Sequence, residues 1–106
     1  MNSILTKKIE FIYSKKPDKF ANLEILIECP LDFSVSVTGE WSNGDEKAYL
    51  QMDDAWEFLK YVDECRTNEP DRLFNRITIC VQNGQITDML FVFDENLQKQ
   101  TMEDLK

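Results

Sequence analysis

Histidine is absent from this chain, and glycine, proline and cysteine each occur only three times. Without an imidazole, the commonest general base and the commonest metal ligand are both missing. Three glycines cannot assemble a Walker-type phosphate loop or a dinucleotide fingerprint. Cys29, Cys65 and Cys80 are odd in number and widely spaced, which fits neither a disulfide framework nor paired zinc thiolates. Each sits in apolar periodic sequence, so three small buried thiols are expected. No apolar run approaches the roughly 20 residues that cross a bilayer. The opening MNSILTKKIEF has no long apolar stretch or small-residue cleavage site, so a cytoplasmic protein is expected.

Positive charge is also scarce: 12 Lys and Arg face 20 Asp and Glu, for a net charge of -8 and a pI near 4.4. The imbalance is uneven. Lys7, Lys8, Lys15, Lys16 and Lys19 outweigh Glu10 and Asp18 in the first twenty residues, which leaves a strongly acidic remainder. Phosphate binding relies on cationic side chains that release counterions, so direct nucleic-acid binding is not expected. An anionic membrane surface is disfavoured for the same reason. The natural complement is a basic protein.

What is present suits one domain spanning 1–106, with 42% hydrophobic and 30% charged residues and neither repeat nor linker. Apolar positions Ile4, Leu5, Ile9 and Ile12 follow a helical period that Pro17 stops, predicting a helix over 3–15; Ile9, Phe11 and Tyr13 also alternate, so a strand competes in its second half. NLEILIECP alternates as a half-buried strand ended by Pro30. Asn43-Gly44 between alternating runs predicts a tight hairpin with both central residues at positive φ, pairing Trp41 with Glu46, Glu40 with Lys47 and Val37 with Leu50. Val35, Val37, Trp41, Ala48 and Leu50 then share a core face with Trp41 at its rim, and Ser36, Thr38, Glu40, Lys47 and Gln51 share the other.

MDDAWEFLKYVDECR is the clearest helix, capped by Asp53 or Asp54, with Ala55, Phe58, Leu59, Val62 and Cys65 inward. Its opposite face collects Asp53, Glu57, Lys60, Tyr61 and Glu64, and Trp56 flanks the stripe. RITICV and QITDMLFVF around Asn83-Gly84 form a second hairpin, whose last strand is apolar on both faces, as for a strand in mid-sheet or covered on both sides. A short tail helix with an Asp cap, Leu97 and Met102 closes the chain. The expected class is α+β, an antiparallel sheet of about five strands packed against helices in the order α-β-β-β-α-β-β-α.

The stretch from Gly39 to Arg66 holds both tryptophans among eight carboxylates and three basic residues. Adjacent acids on a helix point in different directions, and none of GDE, MDD or VDE has the alternating oxygens, central Gly and terminal Glu of a calcium loop. No metal, cofactor or catalytic residue is expected, and a binding protein is favoured over a carboxylate enzyme. A charged helix face is ordinarily just solvated surface, and Asp53 and Asp54 serve as caps on that view. Carboxylates beside aromatics also describe a docking surface, since aromatics anchor interfaces and charge accelerates encounter. The candidate face is Glu40, Trp41, Asp45, Glu46, Asp53, Asp54, Glu57, Tyr61 and Glu64.

FANLEILIECPLDFSVSVTGEW with its hairpin, the helix AWEFLKYVDECR, and LFNRITICVQNGQITDMLFVFDE together resemble small bacterial immunity proteins: the YezG-like antitoxins and those of contact-dependent growth inhibition systems. The resemblance covers most of the chain from Phe20 to Glu95. It implies a cognate inhibitor that binds a delivered toxin domain, commonly a basic RNase or DNase, and covers its active site. The alternative is an acidic adaptor or nucleic-acid mimic that docks on a housekeeping protein.

Overall fold

Leu23, Ile25 and Ile27 alternate with Asn22, Glu24, Leu26 and Glu28 along β1 (Asn22–Glu28), and all three are buried while Glu24 is exposed. That alternation sets one sheet face toward a core, because successive strand side chains point to opposite sides. In the computed structural model, which describes residues 3–29, 35–50, 55–68, 74–97 and 99, β1 is the centre of an antiparallel five-stranded sheet. β2 (Ser36–Asn43) and β3 (Glu46–Leu50) lie to one side of it, β4 (Arg76–Gln82) and β5 (Gln85–Val92) to the other. The helices are α1 (Ser3–Tyr13) and α2 (Phe58–Asn68), with a helical turn at 95–97 near the C-terminus. This is the α+β class and the element order expected from the sequence. Pro30, Gln51, Asp53, Asp54 and Met102 lie outside the described residues.

Both helices pack on the same side of the sheet. Leu5, Ile9 and Ile12 recur at helical spacing on α1 and join Phe58, Val62 and Cys65 of α2 in one core cluster with Leu23, Ile25, Ile27, Ile77, Ile79 and Val81. α1 ends two residues before its expected limit: the amides of Lys15 and Lys16 bond to the carbonyls of Ile12 and Tyr13, tightening the chain ahead of Pro17. The competing strand does not form. α2 is preceded by a 3-10 turn, Ala55–Glu57, so its buried stripe rotates to take in Tyr61. Asp94 caps the last turn, accepting from the amides of Asn96 (2.9 Å) and Leu97 (3.4 Å).

The first hairpin differs from its expected register by two residues. Asn43 pairs with Glu46, and Trp41 faces Ala48 instead of Glu46. The central turn residues are Gly44 and Asp45, of which only Gly44 (φ 63°) is left-handed. Glycine in the first central position suits a primed turn. The Asn43 side chain is engaged elsewhere, donating to the Lys19 carbonyl at 2.6 Å, and Asn43 stays in the strand. Because the side-chain period is two, a two-residue shift leaves every residue on its expected face. The second hairpin follows expectation, with Asn83 (φ 52°) and Gly84 (φ 84°) between paired Gln82 and Gln85.

Both turns lie at the end of the sheet where the chain leaves α1 for β1. The Tyr13 hydroxyl and the Asn83 amide both donate to the Ala21 carbonyl, at 2.8 and 3.3 Å, and Asn43 grips Lys19 beside them.

Gly39 shows how tightly β3 is laid against β2. A Cβ there would sit 2.9 Å from Leu50 Cδ2 and 3.0 Å from Leu50 Cβ, inside normal contact distance. Leu50 therefore fills the space a side chain would take. Gly39→Ala is expected to cost about 1–3 kcal/mol through overpacking, read by chemical denaturation. Because Leu50 Cβ is itself one of the close atoms, Leu50→Ala should not restore the loss fully.

One strand departs from its sequence pattern. β5 carries apolar residues on both faces, as an interior strand does, yet it lies at the sheet edge. Its core-side residues Ile86, Met89 and Phe91 are half-buried, while Leu90 and Val92 on the other side are 57% and 42% exposed. β1, flanked by β2 and β4, takes the central place instead.

A candidate protein-docking surface

Among the described residues, no helix covers the sheet face opposite α1 and α2. Register places its side chains in rows across the strands. Glu40 of β2 is the direct partner of Glu24 on β1, Glu24 of Cys80 on β4, and Cys80 of Asp88 on β5. Tyr49 on β3 is the partner of Glu40 at the far end of the same row and is 88% exposed. The next row runs Thr38, Leu26, Thr78 and Leu90, and the one after it Ser36, Glu28, Arg76 and Val92.

Glu24 and Glu40 are therefore like charges set directly opposite, with Cβ atoms about 5 Å apart in such a pair, an arrangement that destabilises a sheet. Lys47 relieves only one of them, reaching Glu40 at 3.8 Å. Arg76 is engaged below, with Glu28 at 3.1 Å and Asp94 at 3.4 Å. Among the described residues no cation lies within salt-bridge distance of Glu24 or Asp88. The Cys80 thiol is pushed up from its ordinary range by partial burial first, then by the nearby charges of Glu24 and Asp88.

The nine residues singled out from the sequence do not form one surface. Trp41 is a core residue at 3% exposure, not a rim residue, and its ring packs 5.9 Å from that of Tyr13. Tyr61 is also buried, at 7%, against the edge of Phe58, instead of lying on the polar face of α2. Neither ring is presented to a partner: β2 pairs Trp41 with Leu23 on the core side, and the 3-10 turn rotates α2 so that Tyr61 faces inward. Glu40 lies on the uncovered sheet face. Asp45 is exposed at the hairpin tip, and Glu46 follows it, 3.3 Å from Lys19. Glu57 and Glu64 belong to the helix layer on the other side of the sheet, and Glu57 meets Lys8 at 3.7 Å. Asp53 and Asp54 fall outside the described residues.

Sequence reading missed Glu24, Asp88 and Tyr49. Each alternates as a polar or surface position within its own strand, but only the pairing of all five strands reveals that they share a row. The available indole is Trp56, 69% exposed on the 3-10 turn. Nearby on the helix side, Lys8 and Lys15 lie over the exposed Phe11 ring, at 5.8 and 4.5 Å from its centre.

Cys29 and Cys65 are buried as expected, but Cys80 is only half-buried because it faces the uncovered side. Burial pushes the Cys29 thiol up to about 11, against a smaller lowering by Arg66, so it is protonated at neutral pH and poorly nucleophilic. Among the described residues, no three or more His, Cys, Asp or Glu side chains are grouped to hold a metal ion, and no helix is long and apolar enough to cross a membrane. The chain matches no protein-family model and no curated protein.

Proposed function

We propose that this chain is an immunity-type inhibitor that binds and neutralises a basic toxin domain, and that the uncovered sheet face is where the toxin docks. The observation that carries the reading is the Glu24–Glu40 pair. Cross-strand like charges cost roughly 0.2–1 kcal/mol, and two neutral residues would avoid that cost. A cationic partner offsets the repulsion by placing Lys or Arg between the two carboxylates. Asp88 extends the negative row, and Tyr49 offers an amphipathic ring at its end, the residue type that anchors interfaces. The net charge of -8 draws a basic partner from a distance and raises its rate of encounter.

In this reading Glu40 keeps the role the sequence suggested for it, and Asp45 borders the face at the hairpin tip, while Glu46 alternates with Ala48 and Leu50 onto the helix side. Glu57 and Glu64, on the helix side, lie outside it. A nuclease toxin is a fitting target because a surface built to approach phosphate is itself cationic.

Co-purification with the product of the neighbouring upstream gene tests the pairing, and surface-binding kinetics test the face. Glu24→Lys combined with Asp88→Lys is expected to slow association about 10-fold or more at low salt and to flatten its salt dependence. Glu24→Gln should weaken binding while leaving the isolated protein as stable or more so. An unchanged association rate in the doubly reversed variant rejects this face. Failure to retain the neighbouring gene product at low salt rejects the inhibitor reading.

A further inference from the structure

We infer that β5 is the pairing edge of a homodimer, in which two copies join antiparallel through this strand into one continuous sheet. The inference is independent of the proposed toxin-binding role. QITDMLFV contains a single charged residue, Asp88, and neither Pro nor Lys, the usual guards of an exposed edge. Its composition is that of a strand with neighbours on both sides, and among the described residues it has one neighbour, β4. The other edge is better protected, since β3 is shorter and carries Glu46 and Lys47.

A guard does exist over the first part of β5. Cys80 pairs with Asp88 and Val81 with Ile86, so Thr87 is an extra, bulged residue. Bulges twist an edge away from further pairing. From Asp88 to Val92 the register is regular again, and it is there that Leu90 and Val92 are exposed.

This regular segment is complementary to itself. A two-fold axis at Leu90 sets Leu90 against Leu90 of the second copy, Met89 against Phe91, and Asp88 against Val92. Met89 and Phe91 are half-buried on the core side, so pairing shelters apolar groups on both faces. The two Asp88 carboxylates are then four residues apart along the strand, about 13 Å, beyond the screening length of roughly 10 Å at 0.1 M salt. The main opposition is the overall charge of -8 on each copy. Salt therefore strengthens this association, whereas it weakens capture of a basic partner.

Sedimentation velocity on the full chain, over a range of concentrations at about 0.1 M and about 1 M salt, tests the inference. The expected result is a species of twice the 12.5 kDa chain mass that gains population with concentration and with salt. Leu90→Lys should abolish it, and Tyr49→Lys at the opposite edge should not. A monomer under all conditions, or a dimer that survives Leu90→Lys, overturns the proposal, as does a dimer lost equally in Tyr49→Lys. Should Leu90→Lys fail to fold, hydrogen exchange of the wild type decides. Slower exchange in Met89–Val92 at high concentration, with β3 unchanged, supports the β5 edge, and no change there refutes it.

Discussion

Trp41→Ala is expected to remove about 3–5 kcal/mol of folding free energy, the range for truncating a large buried aromatic. A domain of this size holds roughly 5–15 kcal/mol in total, so the variant stands close to unfolding. The loss has two sources. The indole fills the space between the α1 side, where the Tyr13 ring lies 5.9 Å away, and the β1 side, where Leu23 is its strand partner. Removing it also frees Tyr13, whose hydroxyl holds the Ala21 carbonyl at 2.8 Å. Trp41→Phe keeps much of the volume and should cost far less. If Trp41→Ala unfolds in denaturant like the wild type, the indole is not a core residue, and its interior placement is wrong.

Asn75→Ala is the second large effect. Asn75 is buried, and both ends of its amide are used: Nδ2 donates to the Asp94 carbonyl at 2.7 Å, and Oδ1 accepts from the Asp94 amide at 2.8 Å. Its backbone is equally committed, donating to the Val92 carbonyl and accepting from the Cys29 amide. Truncation leaves two backbone groups of Asp94 without partners, at about 1–3 kcal/mol for each that stays shielded from water. Thermal unfolding reads this as a fall of about 4–8 °C per kcal/mol. Asp94→Asn is the matched comparison. It keeps the backbone bonds and loses only the half-exposed ion pair with Arg76, worth about 0–1 kcal/mol. Equal losses in the two variants would show that the ion pair, not the amide clamp, secures the chain after β5.

Most of the architecture is legible in the residues themselves. Period-two alternation in NLEILIE and RITICV, and the dipeptide Asn83-Gly84, suffice for β1, β4 and the second hairpin. The first hairpin slips by two because Asn43 bonds to Lys19, a contact between residues far apart in sequence that no local pattern encodes. The edge position of β5 is hidden for a related reason: an apolar strand reads as interior whether its missing neighbour belongs to the same chain or to another. Aromatics mislead most. Trp41 and Tyr61 stand beside carboxylates in sequence, but strand alternation and a rotated helix turn them inward while the carboxylates point out. The row of Glu40, Glu24 and Asp88 needs three cross-strand registers before it exists at all.

The shared anchorage of the two turns on residues 19–21 has a kinetic meaning. Neither hairpin tip can peel away without disturbing the segment that also holds the other, so this end of the sheet opens as one cooperative unit. Local fluctuation is thereby pushed toward the opposite end, and a partner docked on the uncovered face as proposed would meet a platform stiffest beside the two hairpin tips. A rigid landing site spares the complex part of the ordering entropy that a mobile one must lose on association.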